Sequence, residues 1–278
     1  MLAERSILVD GRRLGFWRSA HTAATQPPLI ILHGLGADHE GLLPLAGRLH
    51  GFDIVAVDLP GFGRSEPLAG KHSPQAYAQV IEALCGVLDL PEVAVLGHSL
   101  GATIALNHAA LFPARVRTLT LLMPVTTGNG PSTWPPRVYF RLGTVLPERL
   151  ARVWFLSRAS VFVSDELTLV SNDKRLRREI RKQDYRTAAL ASPRAVQEIY
   201  RGIRQAPLLD LARQVRATTL ILGAERDVLA PRRSLVALQR RIERSRLKIV
   251  ERAGHLWPVE TPDVCAEVIG RHLRLAAT

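Results

Sequence analysis

Cysteine is scarce in this chain, with only Cys85 and Cys265 in 278 residues. The two sit in separate helix-like stretches without metal-ligand spacing, which excludes a disulfide framework and a zinc motif. Two buried structural thiols in a reducing, cytoplasmic setting are expected. Long hydrophobic runs are also missing: none reaches the ~18 residues of a membrane span. The start, Met1-Leu2-Ala3-Glu4-Arg5, lacks the basic-then-apolar order of a secretory signal. Lysine is rare too. Of 37 basic residues only Lys71, Lys174, Lys182 and Lys248 are lysines, and the rest are arginines. The net charge of +12 therefore reads as a compositional arginine bias. No zinc-finger spacing or RNA-binding aromatic motif accompanies it, so no nucleic-acid partner is expected.

What the sequence does hold is apolar patterning, with 47% hydrophobic residues. Ser6 to Trp17 reads as a hairpin about Asp10-Gly11, a pair suited to the positive φ angles of a tight turn. Continuous apolar runs follow at Leu29–His33, Asp53–Asp58, Val93–Leu96, Thr118–Leu122 and Thr219–Leu222, as in strands buried on both faces. Leu247–Val250 is more polar and suits an edge. Helical periodicity covers Pro74 to about Leu88, Ser99 to Leu111, Arg232 to Ile242 and Pro262 to Leu275. This alternation predicts an α/β fold, a mostly parallel sheet with helices on both faces. From about Gly128 to Ala212 the strand pattern stops. Pro-interrupted helical segments such as Val145–Leu156 and Asp173–Leu190 take its place, predicting a helical cap over the sheet's carboxyl edge. The expected division is a core of residues 1–127 and 213–278 with a cap of 128–212 inserted in it.

The chemistry gathers at strand ends. Gly97-His98-Ser99-Leu100-Gly101 fits the G-x-S-x-G pattern between a strand and a helix. A sharp turn there strains the serine and leaves no room for side chains two residues away. The helix start offers the Leu100 N–H and a favourable dipole to a developing oxyanion. His33-Gly34-Leu35-Gly36 follows an earlier strand and can offer a second N–H, that of Leu35. A serine hydroxyl needs a base, and the base needs an orienting carboxylate. Asp227 lies in the loop after the Thr219–Leu222 strand, with Glu225 as its competitor closer to the strand. The loop Met123–Thr127 offers no carboxylate. His255 follows the last strand, and of nine histidines it alone comes after both the serine and a loop carboxylate while lying between a strand and a helix. His272, inside the last helix, is expected at the surface; His98 is expected to pack beneath the nucleophile.

The ordered Ser99, Asp227 and His255, together with Asp58-Leu59-Pro60-Gly61-Phe62-Gly63-Arg64-Ser65, resemble the α/β-hydrolase fold superfamily in its capped branch. The resemblance covers about residues 6–125 and 213–275. It implies an eight-stranded type of sheet and acyl transfer on Ser99, with no cofactor and no metal. The substrate is then a small acyl compound, first of all a carboxylic ester. Carbon–carbon hydrolysis, thioesterase or lactonase activity and a non-hydrolytic cyclase are the alternatives. An inactive ligand-binding protein is the remaining one. Capped carbon–carbon hydrolases usually carry Asn where His98 stands, and relatives with an aspartate nucleophile are disfavoured by Ser99. Eight of the fifteen aromatic residues fall in the cap. Trp134, Tyr139 and, outside the cap, Trp257 are candidate substrate contacts. The run Lys174-Arg175-Leu176-Arg177-Arg178 with Arg181 and Lys182 suggests an anionic substrate or carrier, against the plainer reading of a solvated helix face.

Overall fold

A computed structural model describes residues 2–19, 26–126, 138, 142–206 and 208–276. Strands β1 (Leu2–Val9) and β2 (Arg12–Ser19) form the hairpin expected at Asp10-Gly11, whose φ angles of 50° and 71° make the tight turn. The central strands are β3 (Leu29–Leu32), β4 (Ile54–Val57), β5 (Val93–His98) and β6 (Val116–Leu122). Strands β7 (Thr218–Ala224) and β8 (Ser245–Val250) complete an eight-stranded sheet of order β1-β2-β4-β3-β5-β6-β7-β8. From β4 to β8 every pairing is parallel; only the hairpin and its junction with β4 are antiparallel. Strands β3, β4 and β5 are buried throughout, whereas β8 alternates between half-buried and exposed at its edge, as its polar composition predicts.

In the core the helices are α1 (Leu43–Ala46), α2 (Pro74–Val87) and α3 (Leu100–Leu111). Between β6 and β7 come α4 (Glu148–Leu156), α5 (Arg158–Thr168), α6 (Lys174–Leu190), α7 (Pro193–Gln205) and α8 (Leu208–Leu211). The chain ends with α9 (Arg232–Gln239), α10 (Trp257–Glu260) and α11 (Pro262–Leu275). Helix α3 is apolar nearly all round and buried except at Leu111, the pattern of a helix enclosed on every side. It packs on β3, β5 and β6.

Two features differ from the sequence expectation. The helix expected over Val145–Leu156 is broken at Leu146 and Pro147: residues 142–145 are helical, and α4 starts afresh at Glu148 with Pro147 at its N-cap. His272 is half-buried on α11 rather than at the surface, and its Nε2 is buried without a partner. Cys85 and Cys265 are buried and unpaired, as expected.

The strand order positions the site. The chain steps from β3 to β4 on one side and then crosses to β5 on the other. The carboxyl ends of β3 and β5 therefore flank a switch point, where open α/β sheets leave a crevice. The loops His33–Ala37 and His98–Ser99 both emerge there.

Candidate active site

Ser99 sits between β5 and α3 with φ 55° and ψ −112°, a conformation held from outside the turn. Its N–H donates to Leu122 O on β6 at 2.9 Å, and its own carbonyl accepts the N–H groups of Ala102 and Thr103. Close approach requires the flanking glycines. A Cβ on Gly97 would lie 2.2 Å from the Gly101 carbonyl oxygen, and one on Gly101 would lie 2.2 Å from that of Leu32.

The three residues expected to act together do meet. Ser99 Oγ is 2.9 Å from His255 Nε2, and His255 Nδ1 is 2.8 Å from Asp227 Oδ2. The carboxylate fixes the tautomer: Nδ1–H donates to Asp227, leaving Nε2 to accept the serine hydroxyl. Burial pushes the Asp227 carboxyl up. The facing His255 and the N–H groups of Ala230 and Leu229, at 3.0 and 2.7 Å from Oδ1, outweigh that and hold it below its usual value. Glu225 takes no part; it caps the Arg252 N–H at 2.8 Å in an exposed position.

The loop after β3 is ordered by a second imidazole. Leu59 N–H donates to His33 Nε2 at 2.9 Å, so the ring proton is on Nδ1, which donates to Gly34 O at 2.8 Å. In a trans peptide this turns the Leu35 N–H away from His33. Leu100 N–H lies in the first turn of α3, where it has no intrahelical acceptor. Asp58 anchors the neighbouring loop from a fully buried position. It accepts the His39 N–H and Nδ1–H at 2.8 and 2.9 Å and the Arg64 N–H at 2.8 Å. Gly63, at φ 52°, gives that carboxylate its space: a Cβ there would lie 2.2 Å from Asp58 Oδ2. Asp58 and Gly63 of the Asp58–Ser65 motif thus have a packing reason.

Ser99 and His255 open onto a cavity of about 350 Å³. Its walls are largely apolar, with Leu35, Leu100, Val125, Phe155, Ile203 and Leu256 among them. Helices α5, α6 and α7 contribute to it. They are tied to the core by Thr187 Oγ1 to Gly36 O and Ser192 N to Gly61 O, both 2.8 Å, and by Glu260 accepting Val170 N at 2.9 Å. Of the substrate contacts expected from the sequence, Trp134 and Tyr139 lie outside the described residues. Trp257 is 5% exposed and packs in the core; its neighbours Leu256 and Val259 line the cavity instead. Sequence reasoning missed Phe155 and Tyr200 as cavity residues, although both belong to the aromatic excess of that interval.

Three of the six basic residues in the run on α6 are ion-paired within the chain. Arg175 pairs with Glu179, Arg177 with Glu166, and Arg181 with both Asp165 and Glu166. This is the solvated, ion-paired face of the plainer reading, and nothing in it singles out an anion site. Beneath it, Asp165 and Asp184 lie beside each other at the cavity wall. Burial and the adjoining Asp165 push Asp184 up to about 8. Unfolded, it would titrate near a carboxylate's ordinary value of about 4. Between those values the folded chain keeps a proton that the unfolded chain has released. Stability contributed by this group is therefore complete below pH about 4 and lost as pH rises towards 8. Asp184→Asn keeps the side-chain shape and removes the titration. Its melting temperature should match the parent's at pH 4 or below and exceed it at pH 8 to 9. Parallel melting curves across that range would refute the assignment.

Among the described residues Glu82, Cys85 and His108 bring donor atoms within 4.8 Å of one another. Arg115 occupies the Glu82 carboxylate at 2.7 Å and His108 Nε2 lies 3.0 Å from its other oxygen, while burial pushes the Cys85 thiol up to about 12. That donor set is an ion-pair network and a protonated thiol, a poor fit to a metal.

A strained serine, a tautomer-locked histidine and a buried carboxylate in line at the sheet's carboxyl edge form a site suited to hydroxyl activation. The profile of the alpha/beta hydrolase fold family matches residues 27–262, and the chain belongs to that family. It is 26% identical over 274 residues to an uncharacterised protein of Mycobacterium tuberculosis, spanning 93% of this chain and 79% of the relative. It is 27% identical over 239 residues to the 2-hydroxy-6-oxononadienedioate/2-hydroxy-6-oxononatrienedioate hydrolase 2 of Pseudomonas putida, spanning 82% of this chain and 80% of that one. An esterase from Exiguobacterium antarcticum superposes with a TM-score of 0.81 at 19% identity, over 96% of this chain and 97% of its own. No helix among the described residues is long and apolar enough to cross a membrane.

Proposed function

We propose that this protein is a serine hydrolase that cleaves a carboxylic ester, or a closely related acyl bond of a small molecule, through an acyl-enzyme on Ser99. The observation that carries this reading is the hydrogen-bonded line Ser99–His255–Asp227 at an apolar cavity. His255 takes the hydroxyl proton as Ser99 attacks the carbonyl carbon, and Asp227 stabilises the imidazolium that forms. The Leu35 and Leu100 N–H groups receive the oxyanion, each donor contributing about 3 kcal/mol. His255 then protonates the leaving alcohol. A water, deprotonated by the same imidazole, releases the acid. No cofactor takes part in this scheme.

Residues 128–212 act as a cap on a core of 1–127 and 213–278, covering the cavity and choosing the acyl group. Trp134 and Tyr139 are proposed to touch substrate from that segment. Two buried thiols with raised affinity for their protons suit a reducing compartment such as the cytoplasm. The named activity of the Pseudomonas putida relative makes carbon–carbon hydrolysis the second reading, but His98 stands where such enzymes usually carry Asn.

The test is a turnover screen over short- and long-chain esters, thioesters, lactones and vinylogous diketones, joined to fluorophosphonate labelling with mapping of the modified peptide. Hydrolysis of esters with label on Ser99 is expected. Turnover confined to diketones would move the reading to carbon–carbon cleavage, and labelling without any turnover would move it to a cyclase. A chain that neither labels nor turns over would be a binding protein.

A further inference from the structure

The G-x-S-x-G pattern leaves the residue before the serine free, so the turn itself does not ask for histidine there. In this chain the position carries chemistry. The His98 ring reaches from the end of β5 to the loop after β8, and its Nε2–H donates to the main-chain carbonyl of His255 at 2.9 Å. The two residues are 5% and 4% exposed, so water does not compete for this bond. Among the described residues no backbone N–H bonds to that carbonyl. His255 lies between β8 and α10 in an irregular stretch, where no strand ladder holds its main chain. Its neighbours are anchored, with Arg226 N–H on Ala253 O and Trp257 N–H on Gly254 O.

We propose that His98 is a positioning residue that clamps the His255 backbone to the nucleophile turn and so sets the 2.9 Å Ser99–His255 contact. The inference rests on the serine-hydrolase reading above. One chain segment then carries both the serine and the clamp on its base, so Ser99 and His255 shift together when the sheet edge moves. A neutral clamp donates without opposing the charge that forms beside it. The ring centroids of His98 and His255 are 5.1 Å apart, and a charged His98 would oppose the imidazolium that forms on His255 during attack. Burial, followed by the facing His255, holds His98 down to about 3. Its donor therefore persists unchanged at neutral pH. Gly34 lies against the other side of the ring, where a Cβ would come within 3.3 Å of Nδ1, so the ring is confined as well as bonded.

The test compares His98→Gln, whose amide nitrogen reaches about as far as Nε2, with His98→Asn, whose amide stops short, and His98→Leu, which lacks a donor. For each, kcat, KM, the urea midpoint and the rate constant of fluorophosphonate labelling at Ser99 are measured. Loss of the clamp should lower kcat and the labelling rate together by about 10- to 100-fold in the Asn and Leu variants, with KM within threefold. The Gln variant should recover kcat and the labelling rate to within about fivefold of the parent, with a urea midpoint above the Asn variant's by no more than one buried hydrogen bond accounts for. If Gln and Asn are equally impaired, or if labelling is unchanged in both, the clamp is wrong while the triad stands. If the parent itself does not label, the Ser99 reading fails and the clamp falls with it. Should the Leu variant not fold, the Gln and Asn pair alone decides.

Discussion

Ser99→Ala should reduce kcat on the best ester substrate by about 10⁴- to 10⁶-fold while leaving the fold intact. The residue lies at φ 55°, held by its N–H bond to Leu122 O and by the α3 turn that closes on its carbonyl. Alanine keeps the same Cβ and the same backbone bonds, so the thermal midpoint should move by no more than about 2 °C. Only the hydroxyl is lost, and with it, in the proposed mechanism, both the covalent intermediate and the proton that His255 Nε2 accepts. His255→Ala should cost a comparable factor. The double variant should be scarcely worse than either single one, because the residues act as a unit. Steady-state kinetics on the four proteins checks this. Turnover within tenfold of the parent in Ser99→Ala would remove the serine from the mechanism.

The second large effect is on stability. Gly101→Ala should destabilise the protein by at least about 4 kcal/mol, the range of substitutions with a named packing fault. Its Cβ would lie 2.2 Å from Leu32 O and 2.6 Å from His33 O, both backbone atoms at the end of β3. No rotamer change relieves a backbone clash, so α3 would have to lift off the sheet and take the Ser99 turn with it. Gly86→Ala is the contrast. This glycine lies exposed near the end of α2, and its Cβ would meet nothing within 4 Å. There the substitution should stabilise by about 0.5–1 kcal/mol through helix propensity and chain entropy. Urea titrations of the two variants should therefore move in opposite directions. Equal small shifts would show that α3 does not pack on β3 as described.

Local rules made much of this molecule legible before its structure. Strands β3, β4 and β5 announce themselves as continuous apolar runs because both faces of a parallel sheet are covered. The Asp10-Gly11 turn and the α6 cap at Asp173 depend on residues a few positions apart. Ser99, Asp227 and His255 could be selected because each closely follows a recognisable strand. The helical interval was read less well. Pro147 interrupts the expected Val145–Leu156 helix, and α5 carries the β-branched residues Val161 and Val163, which weaken its helical signature. Trp257 and His272 were misplaced for a common reason. An amphipathic side chain next to a strand or on a terminal helix faces the core or the solvent according to what packs on it, and that partner is distant in sequence.

The sequence by itself determined which segments alternate as strands and helices, where the Gly97–Gly101 turn falls, and that Asp227 and His255 follow later strands. Those features rest on backbone sterics, periodicity and order along the chain. Only the tertiary structure decided that Ser99 and His255, 156 positions apart, stand 2.9 Å from each other. It likewise decided that His33 turns the Gly34 peptide and that His98 holds the His255 carbonyl. Those contacts follow from a strand order that carries the chain back across β3 and sets β7 beside β6 and β8 beside β7. Such placement is chosen by the burial of the whole sheet, so no window of neighbouring residues contains it.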